Sequence, residues 1–255
     1  MENQAQTEPT FEIPFDVIEL PSKGVLYQGN ISHVKVEYLT AADENILTSP
    51  NLLQSGKVID YLLEQKIKQA GVSSSDLLVG DRNAIMIFLR ATGYGEMYPV
   101  KLTDPENGQE FEYEINLSEL KTKELGATPD EKGEFSFSLP RSKKEIKFRL
   151  LTAKDESEIL ARVEKRSKIV KGSVSNTLTY RLERQITEID GNRDKAYIAK
   201  FVTVMPAFDS LKFREYVDEI EPGVDLNVEV ESPTGNFFRT PLPITLQFFW
   251  PNLGA

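Results

Sequence analysis

Apolar and polar positions change period several times along this chain, and each change marks an element. Phe15-Asp16-Val17-Ile18-Glu19-Leu20 nearly alternates and stops at Pro21, which has no N–H to give a ladder. Val34 to Leu39 predicts a second strand. The period then becomes helical. Val58 to Ile67 sets Ile59, Leu63 and Ile67 on one stripe. Asn83 to Arg90 is apolar nearly all round, which predicts a central helix, with Asp81 as its N-cap and Gly80 freeing the preceding turn. Tyr98 to Leu102 and Gln109 to Ile115 alternate around Asp104-Pro105-Glu106-Asn107-Gly108, the pattern of a hairpin.

The same order then returns. Val34 to Glu44 reappears as Ile146 to Glu156, and Leu20-Pro21-Ser22-Lys23 finds a counterpart in Leu139-Pro140-Arg141-Ser142. Tyr61-x-Leu63-Glu64-x-x-Ile67 matches Tyr180-x-Leu182-Glu183-x-x-Ile186, and Gly80-Asp81-Arg82 matches Gly191-Asn192-Arg193 ahead of the apolar run Ala196 to Val202. The strand Glu134 to Leu139 and a second hairpin, Leu226 to Val230 and Asn236 to Arg239 around Ser232-Pro233-Thr234-Gly235, complete the set. Thr40/Asp43 and Thr152/Asp155 have the spacing of capping boxes, which explains these carboxylates as helix caps before any catalytic role. The reading is an α+β chain of two related lobes from an internal duplication. Its parts are a flexible N-terminal tail (1–14), a first repeat (15–118), a linker rich in breakers (119–133) and a second repeat (134–251), with a loop at Lys171 to Asn176.

Composition narrows the chemistry. The 255 residues are 40% hydrophobic, enough for a core, and contain no run of about 18 apolar residues that would span a membrane. The first residues lack the basic and apolar regions of a signal peptide. There is no cysteine, so disulfides, thiolate metal sites and cysteine nucleophiles are excluded, and the single histidine, His33, opens a strand in a polar stretch. No Gly-rich phosphate loop occurs. No catalytic residue, metal, cofactor or small-molecule substrate is therefore expected. Net charge is −10, yet residues 141–184 hold 13 Lys or Arg against 6 Asp or Glu. Within that stretch Lys165, Arg166 and Lys168 read first as cations at a helix C-terminus, and second as a docking patch. A nucleic-acid module is the remote alternative, opposed by the overall acidity.

Partner-binding candidates follow from position. Tyr61 and Tyr180 lie off their helix stripes and are expected to face the sister lobe or a partner; Arg82 and Arg193 head their helices as ties to a carboxylate or to loop carbonyls. Tyr94 and Trp250 are aromatic anchors. Phe248-Phe249-Trp250-Pro251 reads as a final core strand in preference to an exposed anchor.

Glu19-Leu20-Pro21-Ser22-Lys23-Gly24, Leu39-Thr40-Ala41-Ala42-Asp43-Glu44, Ile59-Asp60-Tyr61-Leu62-Leu63, Leu78-Val79-Gly80-Asp81-Arg82, Leu89-Arg90-Ala91-Thr92-Gly93-Tyr94-Gly95 and Asn116-Leu117-Ser118-Glu119-Leu120 come in this order. Together with the Pro105/Gly108 turn they resemble the baseplate family of T-even-type bacteriophages, over residues 18–120 above all. The resemblance implies a hub subunit or hub assembly factor of a contractile tail, without enzymatic activity. It implies partners among other tail and baseplate proteins, with homo-oligomers allowed, and a place in the virion or in the host cytoplasm during assembly. Family members often carry a Cys-Pro-x-Cys-Gly knuckle at the hairpin. Here the run is Asp104-Pro105-Glu106-Asn107-Gly108, without thiolates, so no zinc is expected.

Overall fold

Short antiparallel sheets alternate with capped helices along the chain, as an α+β architecture. The computed structural model describes residues 12–169, 175–242, 244 and 246–249. The first eleven residues, residues 170–174 (all but the first in the 171–176 loop region), Pro243, Thr245, and Trp250 onwards lie outside them.

The first half opens with β1 (Phe15–Glu19) and β2 (His33–Glu37), an antiparallel pair whose inner face buries Val34 and Val36. Three short helices follow: α1 (Ala41–Leu47), α2 (Pro50–Ser55) and α3 (Val58–Lys66). Asp43 accepts from the Thr40 N–H at 2.7 Å and from its hydroxyl at 2.8 Å, so the expected cap is present. Asp43 is also buried against Lys66, whose ammonium donates to the Tyr38 carbonyl at 3.0 Å. That carbonyl needs a donor because its opposite residue in the ladder is Pro14, which has no N–H. The stripe on α3 is broader than its sequence period suggests: Val58, Leu62, Leu63 and Lys66 are buried. Next come the central helix α4 (Val79–Tyr94) and the hairpin β3 (Met97–Thr103) and β4 (Glu110–Asn116).

The helix α4 begins earlier than expected, with Leu78 as N-cap. Asp81 is therefore not its cap. It lies in the first turn, fully buried, and holds the Leu20-Pro21-Ser22 turn by accepting from the Ser22 N–H (2.9 Å), the Ser22 hydroxyl (2.5 Å) and the Tyr27 hydroxyl (2.6 Å). Tyr27 in turn accepts from the Leu78 N–H at 2.8 Å.

A short strand β5 (Thr122–Lys123) leads into the second half, where β6 (Phe135–Ser138) and β7 (Glu145–Phe148) form the equivalent pair. Then come α5 (Ala153–Ile169), α6 (Thr177–Gln185) and β8 (Ile186–Ile189), which adds to β7. In the first half Ile67 makes only a single bridge, to Val36, at the matching place. Two helices follow, α7 (Lys195–Val204) and α8 (Ala207–Ile220), then β9 (Gly223–Val224), the hairpin β10 (Asn227–Glu231) and β11 (Phe237–Pro241), and α9 (Leu246–Phe249). Asp209 in the first turn of α8 accepts from the Arg141 N–H at 2.6 Å and the Ser142 N–H at 2.8 Å. It seats the Leu139-Pro140 turn as Asp81 seats the Leu20-Pro21 turn. In this contact α8 plays the part of α4. The sequence pairing of Gly80-Asp81-Arg82 with Gly191-Asn192-Arg193 is corrected: the second triplet is the turn between β8 and α7, and α7 has no equivalent in the first half.

The two halves share one body. Leu78 bridges Thr152, the Ala153 N–H donates to the Leu77 carbonyl at 2.9 Å, and β5 pairs with β9. The 119–133 segment is held down as well: the Gly126 N–H donates to the Ile220 carbonyl, and Asp130 accepts from the Lys132 and Glu134 N–H groups and pairs with Lys147. The chain end crosses over, so that Leu242, Phe248 and Phe249 join the core of the first half with Leu62, Ile85, Leu89 and Tyr98. Phe248 and Phe249 are core, as expected, but in a short helix and not a strand. The second core gathers Phe135, Phe148, Ile186, Ile198, Phe213 and Val217.

Candidate partner-binding surfaces

The first-half candidates lie along α3 and α4. Because Leu62 and Leu63 take the core face of α3, Tyr61 points outward and stays 47% exposed. It borders a shallow hollow with Leu52, Lys57 and the Ser73–Ser75 loop. Glu64 fixes that loop by accepting from the Ser74 N–H at 3.0 Å and its hydroxyl at 2.9 Å. Arg82 is half-buried. It donates to Asp60 at 2.6 Å and ties α4 to α3, the carboxylate tie expected from its position. Its burial lowers the guanidinium pKa, with the Asp60 charge opposing. Tyr94 closes α4, with its hydroxyl 3.4 Å from Glu44 and its ring beside the buried Arg90. Of these three, Tyr61 is the most exposed.

In the second half, Tyr180 and Arg193 line one groove of about 660 Å³ together with Arg149, Arg162 and Arg184. Tyr180 is 6% exposed, packed against Leu151 and Ile159 with Val79 of the first half beside them, under the Arg162 guanidinium at 3.7 Å. Tyr61, in the matching helix position, is by contrast open. The difference comes from α5, which is long enough to cover the α6 face that the short α1 and α2 leave open on α3. Arg193 grips Glu134 through two hydrogen bonds of 2.9 and 2.7 Å and also reaches Glu188 at 2.7 Å. That grip raises its pKa.

The basic stretch turns out to be largely an ion-pair ladder between α5 and α6. Arg162 pairs with Glu183, Arg181 with Glu156, and Arg184 with both Asp155 and Glu158. Asp155 is its centre. Burial raises its pKa, but two bonds from Arg149 (2.6 and 2.8 Å), the Thr152 N–H and Arg184 more than offset this and hold the carboxylate well below its usual range. Sequence spacing on one helix could not show pairs that form only when two helices cross. What remains is the end of α5. Beyond Ile159 only Val163 is partly covered; Lys165 and Arg166 make no ion pair among the described residues, and Lys168 pairs with Glu164 one turn back. Trp250 lies outside the described residues.

The two hairpin tips meet. Asp104 is 1% exposed and accepts from the Glu106 N–H (2.8 Å), Asn107 (3.0 Å), the Thr234 hydroxyl (2.9 Å) and Asn236 (3.2 Å), while Phe111 packs edge-on to Phe238. These donors depress the Asp104 pKa to about 2, the Glu106 N–H first among them. The side chains at the knuckle position do not suit a metal: the only carboxylate facing inward is already consumed by hydrogen bonds, and among the described residues no group of three His, Cys, Asp or Glu could hold an ion. Removing this acceptor would strand donors from both hairpins. Asp104→Ala is expected to lower the melting temperature. Because the folded pKa lies below the unfolded one, the contribution of Asp104 is present above pH 4 and disappears as pH falls toward 2, so the gap between wild type and variant should close over that range in thermal scans.

Elsewhere, burial at the end of α8 raises Glu221 to about 7, against the opposing charge of Lys123. No helix among the described residues is long and apolar enough to cross a membrane. A family model described as T4 bacteriophage base plate protein matches residues 13–236. No curated protein and no solved structure matches the chain.

Proposed function

The chain belongs to the T4 bacteriophage base plate protein family, and on that premise we propose that it is a non-enzymatic structural or assembly protein of the baseplate hub, acting through protein–protein contacts. The observation that carries this is the extent of the family match, which runs through both halves. The disposition of its polar groups supports it. The carboxylates that would attract a catalytic reading are occupied: Asp43 and Asp155 cap helices and bind cations, and Asp81, Asp104 and Asp209 seat turns. A duplicated origin for the two halves fits their shared element order and the matched Asp81 and Asp209 seats, and it would give the protein a pseudo-symmetric surface for tail partners. Tyr61 and the exposed end of α5 are the side chains best placed for that role.

Retention in the virion and release after assembly make different demands on copy number. Quantitative mass spectrometry of purified particles against infected-cell lysate separates them. A fixed low copy number in particles identifies a baseplate subunit, and abundance in lysate with absence from particles identifies an assembly factor. Reversing Lys165, Arg166 and Lys168 to Glu is expected to reduce tail assembly at only a small cost in thermal stability, which comes from the helix dipole and the lost Lys168–Glu164 pair, since none of the three makes a tertiary ion pair among the described residues. Unchanged assembly would reject the end of α5 as an interface.

A further inference from the structure

Edge strands with apolar outer faces are usually covered, shortened or charged, because unpaired N–H and C=O groups template another strand. Among the described residues β1 pairs with β2 alone and its outer edge is uncovered; Glu19 ends its outer face, but the alternate positions before it are apolar. Ile13, Phe15 and Val17 stand on one face at 40%, 48% and 59% exposure, which is high for three large apolar residues in a row of alternate positions. The hydrogen-bond phase is fixed by two bonds, Tyr38 N–H to the Pro14 carbonyl and Leu20 N–H to the Ser32 carbonyl. In an antiparallel pair this phase turns the backbone groups of residues 14, 16, 18 and 20 toward β2 and those of 13, 15, 17 and 19 toward the open edge. The single proline, Pro14, thus spends its missing N–H on the β2 side, and the open edge keeps all its donors.

We propose that this edge joins a second copy of the chain, with two β1 strands pairing antiparallel about Phe15 to make a continuous four-stranded sheet. The strand is self-complementary in that register. Phe15 faces the partner's Phe15 and Ile13 faces the partner's Val17, all through outward-turned backbone groups. Asp16 falls opposite the partner's Pro14 and Glu12 opposite the partner's Ile18, so no carboxylate meets a carboxylate. Shifting the centre by one residue would set Asp16 against the partner's Asp16, an unfavourable cross-strand pair. Lys35, 3.6 Å over the Phe15 ring from the neighbouring strand, backs the contact. A two-fold pairing of this kind is isologous and closes at a dimer. The inference is independent of the baseplate assignment.

The test uses the full chain in sedimentation equilibrium with amide hydrogen exchange. Wild type is expected to double its mass with concentration and to protect the Phe15 and Val17 amides as it does so. Val17→Pro removes an outward N–H without touching the β2 ladder and should weaken dimerisation by a factor of about ten or more at unchanged melting temperature. Phe15→Lys and Phe15→Glu should each be monomeric alone and associate when mixed, because the register sets residue 15 against itself. A wild type that stays monomeric at every concentration overturns the proposal. So does a dimer indifferent to all three substitutions, protection of these amides in a monomer, or pairing only with an extended segment of another tail protein.

Discussion

Gly80→Val is expected to cost about 3 kcal/mol of stability and roughly 10 °C of melting temperature. In most helices replacing glycine by a residue with a side chain is neutral or favourable. Here the second residue of α4 is the point where the halves touch. A Cβ on Gly80 would run into the Pro222 carbonyl oxygen and come within 2.8 Å of the Gly223 Cα. Both are backbone atoms of the segment entering β9, so no side-chain rotation relieves the clash. The contact sits between the β5–β9 pair and the Leu78–Thr152 bridge, so relief requires prising the halves apart along their seam. Three comparisons check the cause. Gly80→Ala should already be destabilising. Gly223→Ala should cost less, because its Cβ would meet the Gly80 Cα at 3.0 Å and the Gly80 carbonyl only at ordinary contact distance, 3.7 and 3.8 Å. Gly93→Ala, later in the same helix, would press on the flexible Leu39 side chain and should be the mildest. Equal effects at the three positions would contradict a seam set by Gly80.

The elements on either side of that seam were largely legible in the sequence, because strands and hairpins declare themselves through period 2 and proline. The boundaries of β1, β3, β4, β10 and β11 fall within a few residues of the alternation. What periodicity could not supply was equivalence between distant segments. Gly-x-Arg is a turn signal, and it pointed from α4 to α7. The helix that holds a Leu-Pro turn as α4 does is α8, which carries its own stripe of Phe213, Val217 and Ile220, and the likeness lies in a tertiary contact, the carboxylate under the turn. The candidate surface shows the same limit. Tyr61 and Tyr180 occupy matching helix positions, yet one is open and the other buried, because the covering helix differs in length. The Asp104 latch joins residues more than a hundred positions apart, and only the meeting of the two hairpins reveals it.

Asp81→Ala is expected to cost about 3 kcal/mol, because three donors that converge on a fully buried carboxylate lose their acceptor together. Asp81→Asn should recover most of the loss. Its carbonyl can still accept from the Ser22 N–H, and the Ser22 and Tyr27 hydroxyls can rotate to accept from its amide. The two matched seats should then respond oppositely to pH. Burial raises the Asp81 pKa beyond what its hydrogen bonds lower it, so the folded pKa exceeds the unfolded one. The stability tied to protonated Asp81 is full at low pH and lost as pH rises through the folded pKa. Wild type should therefore lose ground to Asp81→Asn as pH rises. At Asp209 burial is outweighed by the Arg141 and Ser142 N–H groups, and the folded pKa is lowered. Its contribution is present above the unfolded pKa and lost as pH falls, so wild type should gain ground over Asp209→Asn as pH rises. Chemical denaturation of both pairs from pH 3 to 8 reads the two slopes. Slopes of the same sign would mean that the seats differ less than their surroundings do: two hydroxyls and one amide around Asp81, against two backbone amides and the nearby Arg141 charge at Asp209.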